Sequence, residues 1–124
     1  MKRDMDLCRK ILLTVEKMHI DSPIVTLRIE GYDTSTIAYH CQILYDAGLL
    51  LSYKPVLGGD TVQYFFVGGL TWKGNDYLDK IRDKSIWENI KRTIKDRALP
   101  FTIDVVKEIA TNLTDEKLGQ LLHS

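Results

Sequence analysis

The densest group of similar charged side chains in this 124-residue sequence is a run of cations near its C-terminal third. Lys91, Arg92, Lys95 and Arg97 stand against a single acid, Asp96, within seven positions. Lysine and arginine at this density can neutralise phosphate groups, the interaction from which nucleic-acid-binding proteins obtain much of their affinity. The same pattern is typical of a solvated helix face, so both interpretations stay open.

No other side chains have a spacing that favours catalysis or metal binding. His19, His40 and His123 are scattered, and no two share a helix face at metal-ligand spacing. Cys8 and Cys41 form no CxxC pair, which favours buried free thiols over a disulfide or a metal site. The glycine pairs are typical of turns and do not form a phosphate-binding loop. We therefore expect no enzymatic activity, no metal, no cofactor and no small-molecule ligand.

The composition is that of an ordinary globular protein. The sequence is 44% hydrophobic, and its 17 basic and 17 acidic residues give a formal net charge of zero. A chain of this length can bury a core. Zero net charge argues against a protein that coats nucleic acid with its whole surface, although a local basic patch is compatible with it. The apolar runs are too short for a signal peptide or a membrane span, so we expect a cytoplasmic protein.

The elements that must position these side chains begin with two helices and a hairpin. Apolar residues at three- and four-residue spacing predict a helix over residues 4–18 with a wide buried face. A second helix is predicted from Asp33 to Ala47, with Asp33 or Thr34 as its cap and Gly48 as the left-handed residue that ends it. Two strands follow, from Leu49 to Val56 and from Thr61 to Val67, joined by the turn Gly58-Gly59-Asp60.

The stretch between the two helices lacks helical periodicity. Ile24 to Ile29 is rich in β-branched residues and can form a strand that pairs with the hairpin in a three-stranded sheet. A helix-turn-helix domain usually has a helix here, and the sequence leaves open whether a strand replaces it. Arg28 in this run is a candidate for a phosphate contact. Lys54, near the predicted hairpin tip, and Lys73, beyond the hairpin, are candidates of the same kind.

A third helix is predicted to open at Leu70-Thr71-Trp72. Thr71 can cap it, and Gly74 in its first turn permits a close approach to the hairpin. The string Leu70-Thr71-x-x-Gly74-x-x-Tyr77-Leu78 resembles the segment that follows the wing in many winged-helix families. The resemblance implies that the helix from Asp33 is a recognition helix, whose outer face would enter the major groove of DNA.

That outer face carries few groups suited to reading DNA. The helix contains no lysine and no arginine. Gln42 could contact adenine, and Ser35 or Thr36 could contact a phosphate. Tyr39 and Ile43 also point outward on the helical wheel. They can pack within the chain, form an interface with another protein, or lie against DNA, and the sequence leaves these three alternatives open.

Two further helices are predicted in the last third of the chain. One starts at Ser85, carries the cationic run and ends before Leu99-Pro100. The other is capped by Thr102, and its apolar stripe includes Ile103, Val106 and Ala110. This stripe could mediate dimerisation or pack back onto the same chain, and its spacing does not distinguish the two.

Several short motifs resemble an uncharacterised bacterial and phage family that is known only as a domain of unknown function. The likeness covers nearly the whole chain. The family implies a small winged-helix-like protein, often encoded in prophages, with no established activity. The matching segments are Met1-Lys2-Arg3-Asp4-Met5-Asp6-Leu7, Glu30-Gly31-Tyr32, Ile37-Ala38-Tyr39-His40, Leu44-Tyr45-x-Ala47-Gly48-Leu49, Gly69-Leu70-Thr71-Trp72-x-Gly74, Leu78-Asp79-x-Ile81-Arg82-Asp83 and Trp87.

Together these observations predict an α+β fold in which a helix, a short strand, a helix and a β-hairpin wing are followed by additional C-terminal helices. We expect a winged helix-turn-helix-like domain at residues 1–84. Residues 85–124 form an extension that packs on it or mediates dimerisation. The predicted function is a nucleic-acid-binding regulator of phage or mobile-element origin that binds double-stranded DNA. The alternative is a protein–protein interaction module on the same scaffold, binding a second copy or another protein and no DNA.

Overall fold

The computed structural model describes residues 1–19 and 21–123, without the side chain of His123. Its chain is a mixture of helices and a small antiparallel sheet, so the predicted α+β class is confirmed. The chain forms two compact units, Met1–Leu78 and Asp79–Ser124, and the domain boundary predicted at residue 84 stays a prediction. The elements are α1 (Met5–Met18), β1 (Ile24–Val25), α2 (Thr34–Asp46), β2 (Tyr53–Gly58), β3 (Thr61–Val67), α3 (Trp72–Ile81), α4 (Lys84–Asp96) and α5 (Ile103–His123).

Helix α1 forms much as its apolar spacing predicts. The Asp4 carboxylate caps it by accepting a hydrogen bond from the Leu7 backbone N–H at 3.1 Å. This satisfies one of the free donors of the first turn, and a negative charge is favourable at that end of the helix dipole. Its buried face is wide and consists of Met5, Leu7, Cys8, Ile11, Leu12 and Val15.

Helix α2 has both of its predicted ends. The Asp33 carboxylate accepts a hydrogen bond from the Thr36 N–H at 2.7 Å. At the other end Gly48 has a φ of +81°, which allows the Leu49 N–H to donate to the Leu44 carbonyl at 2.9 Å. A non-glycine residue would be strained in this conformation, so Gly48 ends the helix as predicted. The buried side chains of α2 are Ile37, Ala38, His40, Cys41 and Leu44.

The three strands form an antiparallel sheet in the order β1-β3-β2, which confirms the predicted three-stranded sheet. Val67, the last residue of the middle strand, pairs with Ile24 on one side and Tyr53 on the other. Strands β2 and β3 are joined by a two-residue loop in which Gly59 has a φ of +70°. A positive φ at this position matches the twist of the flanking strands.

Strand β1 is shorter than predicted, because it ends at Val25 and does not continue to Ile29. Thr26 has a φ of +43°, which turns the chain out of the sheet. Its N–H donates to the Phe65 carbonyl at 2.7 Å, and its hydroxyl accepts from the Phe65 N–H at 3.3 Å. Residues 26–33, all of which the structure describes, contain no helix, so a loop connects β1 to α2.

Strand β2 begins at Tyr53, four residues later than predicted. The preceding residues pass beside the start of α3, where Leu50 and Leu70 form an isolated bridge. The Leu51 N–H donates to the Gly69 carbonyl at 2.8 Å. The segment before β2 is therefore held by the residues that lead into α3.

The start of α3 is tied to the end of α2. The Thr71 hydroxyl accepts from the Gly74 N–H at 2.9 Å and donates to the Gly48 carbonyl at 2.6 Å. A β-carbon at position 74 would overlap the Leu49 carbonyl oxygen, so the backbones approach as closely as the sequence predicted. The close contact is with Leu49, which precedes the hairpin strands.

In the second unit α4 packs against α5. The Asp83 carboxylate caps α4 by accepting from the Ile86 N–H at 2.9 Å. Trp87 of α4 is buried, and its ring centroid lies 5.7 Å from that of Phe101. Thr102 caps α5 as predicted, accepting from the Val105 N–H at 3.2 Å, and α5 then continues without a break through residues 114–116.

Candidate nucleic-acid interface

The solvent-facing side of α2 presents a small set of polar groups. Ser35 and Gln42 are exposed, whereas Thr36, Tyr39 and Ile43 are half-buried. The exposed hydroxyl and amide can donate and accept hydrogen bonds at base edges or phosphates. Since α2 contains no lysine or arginine, any phosphate neutralisation beside it must come from other elements.

His40 is a buried polar residue on the inner side of α2, with 1% of its surface exposed. Its Nε2 atom lies 2.9 Å from the Asp4 backbone nitrogen, and its Nδ1 atom lies 2.7 Å from the Thr36 carbonyl oxygen. A backbone N–H can only donate and a carbonyl can only accept. The hydrogen bonds therefore assign a neutral ring with the proton on Nδ1.

Asp4 joins three elements at this place. Its N–H reaches His40 of α2, one carboxylate oxygen caps α1, and the other lies 3.4 Å from the Tyr32 hydroxyl in the loop before α2. Burial and the neighbouring Asp4 carboxylate raise the pKa of Tyr32, so its hydroxyl stays a donor at neutral pH. We call Asp4, Tyr32 and His40 the Asp4 junction.

The Asp4 junction was not predicted from the sequence. The sequence marks Asp4 as a helix-dipole residue, and His40 lies one turn after Ile37 and one turn before Leu44 on the buried side of α2. The hydrogen bond between them spans 36 positions, and a contact of that range leaves no periodic signal in the sequence.

The predicted cations of the first unit fall into two groups. Arg28 and Lys54 are exposed and make no ion pair with any residue between 1 and 19 or 21 and 123. Lys73 is exposed as well, but its Nζ atom donates to the Ala47 carbonyl at 3.2 Å and so caps the end of α2.

The position of Lys54 differs from the prediction, which placed it near the hairpin tip. Because β2 begins only at Tyr53, Lys54 is its second residue. It pairs with Phe66, whereas the residues next to the loop are Gly58 and Thr61. Lys54 therefore lies at the end of the hairpin that is remote from the turn.

The cationic run of α4 is only partly engaged in ion pairs. Lys91 is half-buried, with its Nζ atom 3.3 Å from a Glu88 carboxylate oxygen. Arg92, Lys95 and Arg97 are exposed and form no ion pair within the described part of the chain. Cations near a helix C-terminus are stabilised by the helix dipole, and this run is placed there. Three of the four predicted phosphate ligands are thus accessible.

The residues predicted for a protein interface differ in accessibility. Tyr39, Ile43 and Ile103 are half-buried, and the Tyr39 ring packs edge-on against the His40 ring at 5.3 Å. Val106 and Ala110 are buried, at 0% and 1% exposure, because this part of the α5 stripe packs within the fold. These two side chains offer no surface to a partner while the fold is intact.

Two exposed apolar side chains in the first unit did not follow from the sequence patterns. Trp72, the first residue of α3, is 84% exposed, and Leu51 is 62% exposed. Leu51 also lines a pocket of about 180 Å³, together with Leu70 and Asn75 among others.

The described residues form no cluster suited to a metal ion. Across residues 1–19 and 21–123, no three His, Cys, Asp or Glu side chains are grouped so as to hold one. None of the described helices has both the length and the apolar character needed to cross a bilayer. Cys8 and Cys41 are buried free thiols, and burial raises the pKa of each to about 12, so both stay protonated at neutral pH.

The fold and surface define a small α+β protein with a helix that leads into a β-hairpin and a helical second unit. Residues 2–100 match the family DUF2513, described as "Hypothetical protein". The chain belongs to this family, which confirms the predicted membership in a family of unknown function.

One relative matches this chain in sequence over the relative's full length. An "Uncharacterized protein" of Haemophilus influenzae is 32% identical over 122 residues, which cover 96% of this chain and 100% of the relative. No solved structure matches the chain.

Proposed function

We propose that this protein binds double-stranded DNA as a winged-helix protein, with α2 as the recognition helix and the β2–β3 hairpin as the wing. The observation that supports this is the connection of α2 to the sheet. Helix α2 follows β1 and leads into the hairpin, and the sheet order is β1-β3-β2. This connectivity resembles that of winged-helix domains, in which the recognition helix precedes the wing.

The loop over residues 26–33 departs from the winged-helix pattern. It stands where such domains place a helix before the recognition helix. In this proposal the loop takes over that position, and its exposed Arg28 contacts a phosphate. The Asp4 junction then replaces helix packing as the contact that holds α2 and the Tyr32 loop residue before it.

The chemistry of the surface supports a binding role, and we propose no catalytic one. Helix α2 has 13 residues and presents Ser35 and Gln42 toward the groove. Exposed cations supply the phosphate contacts, and binding should therefore weaken as salt rises. These cations are Arg28 and Lys54 in the first unit and Arg92, Lys95 and Arg97 in the second.

Fluorescence anisotropy with a labelled duplex, titrated at about 50 mM salt and at several higher concentrations, tests the proposal. We expect measurable affinity at low salt and a linear fall of log affinity with log salt. Replacing Arg92, Lys95 and Arg97 by Gln should reduce the slope by up to about 2.7 if all three contact phosphates. The matched control replaces the exposed Lys17, Lys84 and Lys117 by Gln and should change it less.

Absence of binding at the lowest salt would contradict the proposal for the intact protein. An affinity that is insensitive to salt would contradict the phosphate contacts, because each contact releases counterions. Equal effects of the two triple variants would show that only overall charge matters and that the α4 cations have no special place.

A second candidate function is a protein-interaction module, and one observation favours it. Trp72 and Leu51 expose large apolar surfaces in the first unit, and tryptophan is enriched among the residues that dominate binding energy at interfaces. Sedimentation analysis over a range of concentrations tests self-association. We expect a dimer that is lost in Trp72→Ser, and a monomer at all concentrations would remove a second copy as the partner.

A further inference from the structure

Helix α2 has no cation of its own, but the Asp4 junction brings another part of the chain beside it. The Asp4 N–H donates to His40 Nε2 at 2.9 Å. The α-carbon of Arg3 is two covalent bonds from that nitrogen, and consecutive α-carbons are about 3.8 Å apart. The Arg3 backbone therefore lies beside the side of α2 that carries His40, and the side chains of Lys2 and Arg3 are exposed.

The backbone at this point is fixed by several contacts. Asp4 is the cap of α1, its N–H is bonded to α2, and its carboxylate faces Tyr32 in the preceding loop. His40 is 1% exposed, so water does not compete effectively for the bond to its Nε2. The Arg3 backbone therefore has a defined place beside α2, and the exposed side chains of Lys2 and Arg3 extend from this segment.

A third cation lies at the same junction. Lys10 is exposed, and its Nζ atom is 5.5 Å from the centroid of the Tyr32 ring. A cation over an aromatic face is attracted by the ring, which limits the positions that the side chain samples. The Lys10 ammonium forms no ion pair within the described residues, so its charge is available to a ligand.

The acids around these cations are partly occupied. The Asp4 carboxylate accepts the Leu7 N–H, and the Asp33 carboxylate accepts the Thr36 N–H. Asp6 and Glu30 also belong to this part of the sequence and offset some of the positive charge. Unlike these acids, the lysine and arginine side chains can donate charge-assisted hydrogen bonds to phosphate oxygens.

We propose that Lys2, Arg3 and Lys10 are the phosphate-contacting cations that flank α2 on duplex DNA, and that His40 positions Lys2 and Arg3 through Asp4. This inference rests on the proposed DNA binding. It accounts for the lack of lysine and arginine in α2, since the positive charge beside the recognition helix comes from a segment bonded to it.

The test compares single charge removals in the intact protein by anisotropy with the labelled duplex. Arg3→Gln should reduce the slope of log affinity against log salt by about 0.9, and Lys2→Gln with Arg3→Gln by about 1.8. Lys17→Gln is the matched control. Lys17 is exposed at the far end of α1, about 20 Å along the helix from Asp4, and its removal should leave the slope unchanged.

The positioning role of His40 is tested by a double-mutant cycle. His40→Phe removes the acceptor for the Asp4 N–H. It should weaken binding when introduced into the wild-type sequence, but not when introduced into the variant in which Lys2 and Arg3 are replaced by Gln. A loss of binding that is the same in both backgrounds would show a merely structural role. If His40→Phe does not fold, His40→Leu, a smaller apolar side chain that also lacks the acceptor, takes its place in the cycle.

The outcomes separate the inference from the function on which it rests. If the wild type does not bind the duplex at low salt, the proposed function fails and the inference fails with it. If the wild type binds with a steep salt dependence while Arg3→Gln behaves like Lys17→Gln, DNA binding stands and the inference alone is overturned.

Discussion

Helices α2 and α4 are built alike. Each has 13 residues and is capped by an aspartate, Asp33 or Asp83. At the C-terminal end of each helix, one residue adopts the left-handed conformation. The backbone N–H of the residue after it donates to the carbonyl five positions earlier. The left-handed residue is Gly48 in α2, with a φ of +81°, and Ala98 in α4, with a φ of +51°. The bonds are Leu49 N–H to Leu44 carbonyl, 2.9 Å, and Leu99 N–H to Ile94 carbonyl, 3.0 Å.

The two helices differ in charge and in what holds them. Helix α2 lacks lysine and arginine, and its end is tied to α3 by Thr71 and Lys73. Helix α4 carries the cationic run, and within its unit it packs on α5. The two helices therefore share the same capping contacts. They differ in charge and in the elements that hold them in place.

If α2 is the recognition helix, as we propose, the helix that reads DNA does not itself carry the charge for binding it. Affinity for DNA comes largely from phosphate contacts, which can lie on any neighbouring element, whereas sequence reading requires the groove-facing side chains. The following substitutions test the difference between the two helices, beginning with the largest expected effect.

Gly74→Ala should be the most damaging change. The new β-carbon would overlap the Leu49 carbonyl oxygen, which belongs to the backbone and cannot rotate away. We expect a loss of about 3 kcal/mol or more in the free energy of unfolding, measured by urea denaturation. Gly119→Ala is the control, because its β-carbon meets nothing within 4 Å. In a helix interior it should stabilise by about 0.5–1 kcal/mol. Equal effects would contradict the tight contact between α3 and the end of α2.

Thr71→Ala should have the next largest effect, because it removes two hydrogen bonds. The Gly74 N–H loses its capping acceptor, and the Gly48 carbonyl loses its donor. A loss of about 1–2 kcal/mol is expected in the free energy of unfolding. Thr71→Ser keeps the hydroxyl and should restore most of the stability, whereas an equal loss in both variants would assign the effect to the methyl group.

Gly48→Ala and Ala98→Gly form a reciprocal pair at the two helix ends. Placing alanine at the left-handed position of α2 should cost about 1 kcal/mol, since the nearest atom, Lys73 Cδ, is 4.0 Å away and only the backbone is strained. Glycine at the left-handed position of α4 should stabilise by about 0.5–1 kcal/mol. Thermal unfolding of both variants measures this, and shifts of the same sign would contradict the shared capping motif.

The two aspartate caps should give the smallest effect, seen only in acid. Hydrogen bonds from Thr36 lower the pKa of Asp33, and those from Ser85 and Ile86 lower the pKa of Asp83. A carboxylate whose pKa is lowered by folding stabilises the protein at a pH above its pKa in the unfolded chain, about 3.9. This stabilisation is lost as the pH falls through its pKa in the folded protein.

Asparagine also caps helices but does not titrate in this range. Asp33→Asn and Asp83→Asn should therefore each lose less stability than the wild type between about pH 5 and pH 2. Urea midpoints at both pH values measure this. Midpoints that fall in parallel with the wild type would contradict the role of the ionised caps.

Local features of the sequence predicted the local features of the fold. Asp33 and Gly48 act through their own backbone or that of close neighbours, and so does Thr71 where it caps α3 through the Gly74 N–H. Residue type and spacing were therefore sufficient to place the ends of α2 and the start of α3. The close approach at Gly74 was predicted because its missing side chain permits one in the first turn of α3, although the predicted partner was the hairpin and the structure has the Leu49 backbone.

The features that were missed depend on distant partners. Thr26 ends β1 through bonds to Phe65, 39 residues away, and His40 binds Asp4 across 36 residues. The same holds for Val106 and Ala110, whose stripe was visible while the surface that covers it was not. Such contacts follow from the assembled fold and carry no local sequence pattern.

An NMR titration of the ¹⁵N-labelled protein with a short duplex tests the role of α2 as the recognition helix most directly. We predict the largest backbone amide shifts at Lys2 and Arg3 and along the exposed side of α2 at Ser35 and Gln42. Shifts confined to residues 91–97, with none in α2, would contradict α2 as the recognition helix and place binding in the second unit. An unchanged spectrum at low salt would contradict DNA binding altogether.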